Sequence, residues 1–253
     1  MGREQIIEAG IIAMDKIRIQ KYCSEKGLAS RRETEEYLQK GWIKVNGVVV
    51  TEPGTKVDPE NDIIEFLDEA KKIQKESKYL LLYKPRGYVT NLPNAGEKEA
   101  ALLLSPVDRK QVHAVGRLDK DSEGLLFFTN DGVIANRLKS PEFSVEKEYE
   151  IETDREIDPE IIKRYAEGID LEGENLKPVK VKKTGDKKYI FILTEGKNRQ
   201  IRRMLEKFGY KVTGLKRIRI GVMSLKDLKP GKYRSLAKRE VAELKRFLRI
   251  DTY

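Results

Sequence analysis

Histidine and cysteine are nearly absent from this 253-residue chain: His113 and Cys23 stand alone. One cysteine forms no internal disulfide, and one histidine excludes a zinc site built on paired histidines or several cysteines. A Ser-His-Asp triad would have to run through His113, and no G-x-S-x-G elbow occurs. The G-x-x-x-x-G-K-[ST] and G-x-G-x-x-G phosphate cradles are both missing. Apolar runs are short, as at 80–83, 125–128 and 190–193. None approaches the roughly 18–20 residues of a membrane helix. The first residues, Met-Gly-Arg-Glu, lack the apolar core of a signal peptide, which points to the cytoplasm. Carboxylate, arginine, lysine and tyrosine chemistry is what remains.

Charge is abundant and uneven. The chain carries 51 Lys and Arg against 42 Asp and Glu, a net of +9. Residues 1–70 hold 10 basic and 14 acidic side chains, and the remainder holds 41 and 28. Within the first part, residues 15–47 are basic (8 against 5) and residues 48–70 acidic (1 against 7). The densest cluster is 196–220, where nine basic residues face Glu206 alone. A solvated surface accounts for scattered charge. A cluster this dense points to a polyanion, and nucleic acid binds such clusters by counterion release.

Two domains can be read along the chain. Residues 1–13 show no pattern. Ile17, Ile19 and Tyr22 open an amphipathic segment that ends near Gly27. Ser30-Arg-Arg-Glu33 has the form of a capping box. It predicts a helix over 31–40, with Tyr37 and Leu38 inward and Gly41 as its stop. Asn46-Gly47 between two β-branched runs is a strong hairpin signal, and Ile63, Ile64 and Phe66 form a further strand. These elements make one small module over 14–67. Residues 68–78 are charged, lack alternation and read as a linker. A larger domain over 79–250 opens with a strand at 79–83 and the turn Lys84-Pro85-Arg86-Gly87. Residues 91–113 look rich in loops. Strand patterns fall near 114–115, 125–129, 149–151, 179–181, 189–193 and 212–220, and helical patterns near 133–139, 158–167, 200–208 and 237–248. Strands outnumber helices without regular alternation. The expected class is therefore α+β, with a mixed, mainly antiparallel sheet flanked by helices.

Three segments carry chemistry. In Gly116-Arg117-Leu118-Asp119-Lys120-Asp121-Ser122-Glu123-Gly124, acids alternate. An EF-hand reading fails, because position 12 is Asn130 where a bidentate Glu is needed. A polar turn, a phosphoryl-transfer metal site on Asp119, Asp121 and Glu123, and a catalytic carboxylate beside Arg117 all remain open. In the segment 195–209, Ile201, Met204, Leu205 and Phe208 fall on one helical face, leaving Arg199, Arg202, Arg203 and Lys207 for other surfaces. Basic residues at a helix N-terminus oppose its dipole, so a bound phosphate or a buried carboxylate is expected there. In 146–151, Tyr149 shares a strand face with Ile151. It is either a core tyrosine or a platform for a base.

On these residues the chain resembles the RsuA/RluB/RluE/RluF pseudouridine synthases over nearly its whole length. Gly116-Arg-Leu-Asp-Lys-Asp-Ser-Glu-Gly-Leu-Leu followed by Thr129-Asn-Asp-Gly132 is similar to their central motif, with Ser122 keeping the hydroxyl of a more usual threonine. Lys84-Pro85-Arg86-Gly87, Lys147-Glu-Tyr149 and Gly196-Lys-Asn-Arg-Gln-Ile-Arg-Arg-Met204 resemble the others. Ser30-Arg-Arg32 and Val45-Asn46-Gly47 resemble a small RNA-binding module of the ribosomal protein S-four type. The resemblance implies isomerisation of uridine in ribosomal RNA, without metal or cofactor, by a monomer acting on a stem-loop with a flipped uridine. It places the nucleophile, which attacks the ribose or the base, on Asp119, the tyrosine that packs on the base on Tyr149, and the basic partner of the aspartate on Arg202, with Arg203 as the register alternative. Arg117 would hold the flipped nucleotide. Lys21, Arg31, Arg32, Lys44, Arg199 and Arg203 would contact RNA. The C-terminal pattern at 208–220 leans to the RluF/RluB branch and large-subunit RNA. A small-subunit enzyme of the RsuA branch and a non-catalytic RNA-binding assembly factor are the alternatives, and the intact Asp119 motif argues against the latter.

Overall fold

The computed structural model describes residues 15–72, 76–91, 93–171 and 173–250; the patternless stretch 1–13 lies outside them. The chain divides into two compact units, residues 1–75 and 76–253.

In the first unit, β1 (Ile17–Arg18) leads into α1 (Ile19–Lys26). This helix stops at Gly27, whose φ of 78° is a conformation glycine adopts without strain. The capping box forms as its sequence dictates. Ser30 Oγ accepts from the Glu33 amide at 3.3 Å, and Glu33 Oε2 accepts from the Ser30 amide at 2.9 Å. It starts α2 (Arg31–Gln39). The hairpin of β2 (Ile43–Val45) and β3 (Val48–Val50) turns on Asn46 and Gly47, both at positive φ as a type I′ turn requires. The strand β4 (Lys56–Val57) pairs with β1, and β5 (Ile64–Phe66) with β2. Ile19, Cys23, Leu38, Ile43 and Val57 are fully buried at the centre. The charged segment expected as a linker begins as a short helix, α3 (Asp68–Lys72), with two acids in its first turn.

The second unit is built on one twisted sheet. It opens with β6 (Tyr79–Lys84), followed by a short parallel pair, β7 (Tyr88–Val89) and β8 (Lys98–Glu99). Then come α4 (Pro106–Gln111), β9 (His113–Val115), β10 (Glu123–Thr129), α5 (Gly132–Lys139), β11 (Lys147–Thr153) and α6 (Pro159–Glu167). A small hairpin, β12 (Asp170–Leu171) and β13 (Glu174–Asn175), precedes β14 (Lys180–Gly185), β15 (Lys188–Leu193), α7 (Gln200–Glu206) and β16 (Val212–Ile220). The unit ends with β17 (Met223–Ser224), β18 (Tyr233–Ser235) and α8 (Lys238–Phe247).

The sheet runs β14-β15-β11-β16-β10-β6-β18, with β17 on β16 and β9 on β10. Its pairs are antiparallel except β10 with β16. The class is α+β, as expected. One core packs Phe127, Leu125 and Leu81 against α5 and α8, and another packs Phe191, Tyr189 and Ile151 against α6 and α7. The stretch 91–113, read as loops, contains α4. Its signal was Ser105-Pro106-Val107-Asp108, since the Ser105 hydroxyl accepts from the Asp108 amide and Pro106 opens the helix. At six residues the helix is too short for periodicity to show. No helix among the described residues is long and apolar enough to cross a membrane.

Candidate active site

Asp119 stands in the loop between β9 and β10, and the surrounding backbone fixes that loop from several sides. Thr90 Oγ1 donates to the Leu118 carbonyl (2.7 Å) and accepts from the Leu118 amide (2.9 Å). The Gly87 amide donates to the Lys120 carbonyl (2.8 Å), and the Ser122 amide to the Asp119 carbonyl (3.1 Å). Where the loop enters β10, Gly124 has φ 112°, and a Cβ there would lie 2.2 Å from the Arg217 carbonyl oxygen. Only glycine lets the two parallel strands approach this closely. Arg217 then ties both flanks of the loop, donating from Nε to the Leu125 carbonyl (2.8 Å) and from Nη1 to the Arg117 carbonyl (3.3 Å).

Behind the loop lies Lys84, fully buried, donating to the carbonyls of Pro85 (3.1 Å) and Tyr88 (2.7 Å). Burial pulls its ammonium down to about 8, against the opposing influence of Asp119 and Asp121.

In front of the loop, Arg199 occupies the N-cap position of α7 at φ 46°. Its Nη1 is 3.9 Å from Asp119 Oδ2 and 3.2 Å from both carboxylate oxygens of Asp121. Arg202 is 8% exposed. Its Nε lies 3.2 Å from Asp121 Oδ2, and its other nitrogens donate to the carbonyls of Val212 (3.2 Å) and Asp121 (3.1 Å). Burial pushes its pKa down.

One cleft of about 440 Å³ gathers these groups: Asp119, Arg117, Tyr149, Arg199, Arg202 and Arg217 all line it. Tyr149 is half-buried on β11, opposite Phe191 on one side and Arg217 on the other. Leu193, Ile201, Leu215 and Ile220 supply apolar wall. The lining thus combines apolar side chains with the Asp119 carboxylate and several cations.

Two expectations need correction. The cation nearest Asp119 is Arg199, whereas Arg202, expected as its partner, pairs with Asp121. Arg199 precedes the helix in a left-handed conformation that throws it over the Asp119 loop, while Arg202 sits on the buried side of α7. The arginines of this helix were read as surface groups, and Arg202 is instead part of the interior. The register alternative, Arg203, reaches Glu174 at 3.4 Å, away from the cleft lining.

The acids that could have formed a metal cluster are taken by cations. Asp121 holds two arginines, and Glu123 pairs with Arg86 (3.3 Å) and accepts from the Tyr83 hydroxyl (3.0 Å). Among the described residues no group of three or more His, Cys, Asp or Glu could hold a metal ion. In the first unit, Arg31 and Arg32 are exposed on the first turn of α2, Lys44 is half-buried on β2, and Lys21 pairs with Glu25 at 3.7 Å. Sequence reasoning missed Arg217 and Lys147 as cleft residues. Their signal was strand parity: Arg217 alternates with Leu215, and Lys147 with Tyr149 and Ile151, so all face inward.

Residues 78–207 match the family model described as RNA pseudouridylate synthase, and residues 17–64 match the S4 domain. The chain is 39% identical over 235 residues to the ribosomal large subunit pseudouridine synthase B of Bacillus subtilis, covering 90% of this chain and 95% of that protein. It is 36% identical over 234 residues to the dual-specificity RNA pseudouridine synthase RluF of Escherichia coli K12, covering 90% and 78%. A solved structure described as a pseudouridylate synthase superposes with a TM-score of 0.67 at 29% identity, covering 90% of this chain and 99% of that one.

Proposed function

The chain belongs to the RNA pseudouridylate synthase family, and from that premise we propose that it isomerises a uridine of large-subunit ribosomal RNA to pseudouridine in the cytoplasm. The observation that carries the reading is the cleft in which Asp119 faces both a cation and an aromatic. The target base must leave its stack, at a cost of a few kcal/mol. Tyr149 offsets that cost by packing on the extruded ring, and Arg117 and Arg199 do so by meeting the phosphates. Asp119 attacks the ribose at C1′ as the bond to N1 breaks. The freed uracil turns within the apolar wall, C5 bonds to C1′, and the carboxylate leaves. Arg199 supplies positive charge beside the nucleophile throughout. The large-subunit assignment follows the name of the Bacillus relative, a ribosomal large subunit pseudouridine synthase, and the lean of residues 208–220 to the RluF/RluB branch.

Release of tritium from 5-tritiated uridine tests this. The wild type is expected to release tritium from large-subunit RNA, and Asp119→Asn to be silent on it. Release from small-subunit RNA alone would move the substrate to the other subunit. Silence of the wild type on every ribosomal RNA would leave an RNA-binding assembly factor, and loss of activity in EDTA would restore the metal-dependent reading.

A further inference from the structure

Arg217 is 4% exposed in the wall of the cleft, directly across the β11–β16 ladder from Tyr149. Its Nε and Nη1 are used by the carbonyls on either side of the Asp119 loop. Its Nη2 is buried with no acceptor among the described residues. A buried donor of this kind is rare, because burial removes water and nothing replaces it. Two further cations lie close to Arg217: Lys147 lines the same cleft, and Lys84 is buried behind it. Lys84 and Lys147 both have their pKa lowered by burial and by the nearby guanidinium. The cleft wall therefore carries a buried guanidinium N–H that the chain itself does not satisfy.

We propose that Arg217 is a catalytic residue whose Nη2 donates to a carbonyl oxygen of the extruded uracil. This rests on the reading of the protein as a pseudouridine synthase and deepens it. A base edge is the acceptor because the surrounding wall (Leu193, Ile201, Leu215 and Ile220) suits a ring. A phosphate is met instead by Arg117 and Arg199, which are exposed or nearly so.

The reaction makes that contact stronger as it proceeds. When the N1–C1′ bond breaks, its electron pair stays on the ring and spreads over O2 and O4, while a carboxylate oxygen of Asp119 bonds to C1′. A fixed guanidinium facing that charge lowers the barrier. C5 then attacks C1′, the Asp119–C1′ pair returns to the carboxylate, the C5 proton leaves and N1 takes up a proton. Uracil's geometry lets one donor serve both stages. A half-turn about the N3–C6 axis exchanges N1 with C5 and O2 with O4, so the same N–H meets a carbonyl oxygen before and after the turn.

Sulfur for oxygen is the test. Wild type, Arg217→Gln and Arg217→Lys are assayed for tritium release on large-subunit transcripts carrying 5-tritiated uridine, 2-thiouridine or 4-thiouridine. Melting temperatures are measured in parallel. Arg217→Gln is expected to lower kcat about 100-fold with KM changed less than about threefold. Each thio substitution slows the wild type about tenfold, as for one weakened hydrogen bond, and leaves the Gln variant no slower than it already is. Arg217→Lys, which keeps the charge, recovers part of kcat. Because each thio ratio is taken within one enzyme, it survives a loosened loop. A Gln variant slowed by sulfur as much as the wild type, or with kcat within about threefold of it, overturns the proposal. So does a wild type indifferent to both sulfurs, even if neither variant folds. A wild type inactive on the unmodified transcript sinks the synthase reading itself.

Discussion

Arg199 and Arg202 lie three positions apart, and a single turn of helix gives them different surroundings. Arg199 sits at the mouth with its guanidinium shared between Asp119 and Asp121. Arg202 is buried, and its donors satisfy the carbonyls of Val212 and Asp121. Removing Arg199 withdraws charge from beside Asp119 and opens no hole. Arg199→Ala is therefore expected to cut the rate of tritium release at least tenfold with an unchanged melting temperature, the factor of ten corresponding to about 1.4 kcal/mol of barrier. Arg202→Ala strands the buried Val212 carbonyl and releases that of Asp121, and destabilises the fold by about 1–3 kcal/mol, read as a lower melting temperature. If Arg202→Ala melted like the wild type and Arg199→Ala kept full activity, the two roles would be the reverse of those assigned. The spacing of basic residues in 196–204 showed that a cationic helix starts there. It did not show which arginine would face Asp119, because that depends on the left-handed turn at position 199.

The element that decides how Asp119, the proposed nucleophile, is held is the turn after β6. Lys84 clamps it from within, Gly87 ties it to Lys120, and Arg86 pairs with Glu123. Desolvation is the main reason the Lys84 ammonium titrates at about 8, with Arg217 pushing in the same direction and Asp119, Asp121 and Glu123 opposing. Its folded pKa lies below its unfolded one. From about pH 8 up to the ordinary lysine range the unfolded chain therefore binds more protons, and this group makes the fold more stable as pH rises. Activity should move the other way, since neutral Lys84 no longer places positive charge behind Asp119. In wild type kcat is expected to fall above about pH 8 while the melting temperature does not fall with it. Lys84→Met should be slow and lack that limb of the profile. A variant that keeps the limb would assign it to another group. Elements with local signals, such as the capping box at Ser30, the Asn46-Gly47 hairpin and the long strand at 212–220, were legible before any coordinates. The parallel pairing of β10 with β16 was not. It is set by the contact of Gly124 with Arg217, residues 93 positions apart in the chain, and local pattern carries no record of such a contact.

Over the whole molecule the basic residues concentrate in two stretches, 15–47 in the first unit and 196–220 in the second. The acidic stretch 48–70 contributes to the first unit's own folding: Asp62 accepts from Asn46 and from the Asp58 amide, fixing the loop behind the hairpin. These bonds hold the Asp62 carboxyl below the usual range, and donation from the Asn61 side chain and the Glu60 amide does the same for Asp58. Arg31 and Arg32, exposed on the first turn of α2, oppose that helix's own dipole. An RNA phosphate at that end would relieve the repulsion. If both arginines neutralise phosphates, Arg31→Ala with Arg32→Ala should weaken binding of large-subunit RNA and reduce the slope of log K against log salt by between about 1 and 2, each phosphate contact contributing about 0.7–0.9. Because the substitutions lie outside the cleft, kcat at saturating RNA should stay within about twofold of wild type, as expected for a loss of uniform binding. Filter binding between 50 and 200 mM salt, with tritium release on the same RNA, separates the possibilities. An unchanged slope would show that the first unit does not use this face to hold RNA, and a fall in kcat of the size seen for Asp119→Asn would place the two arginines in the chemistry instead of the docking.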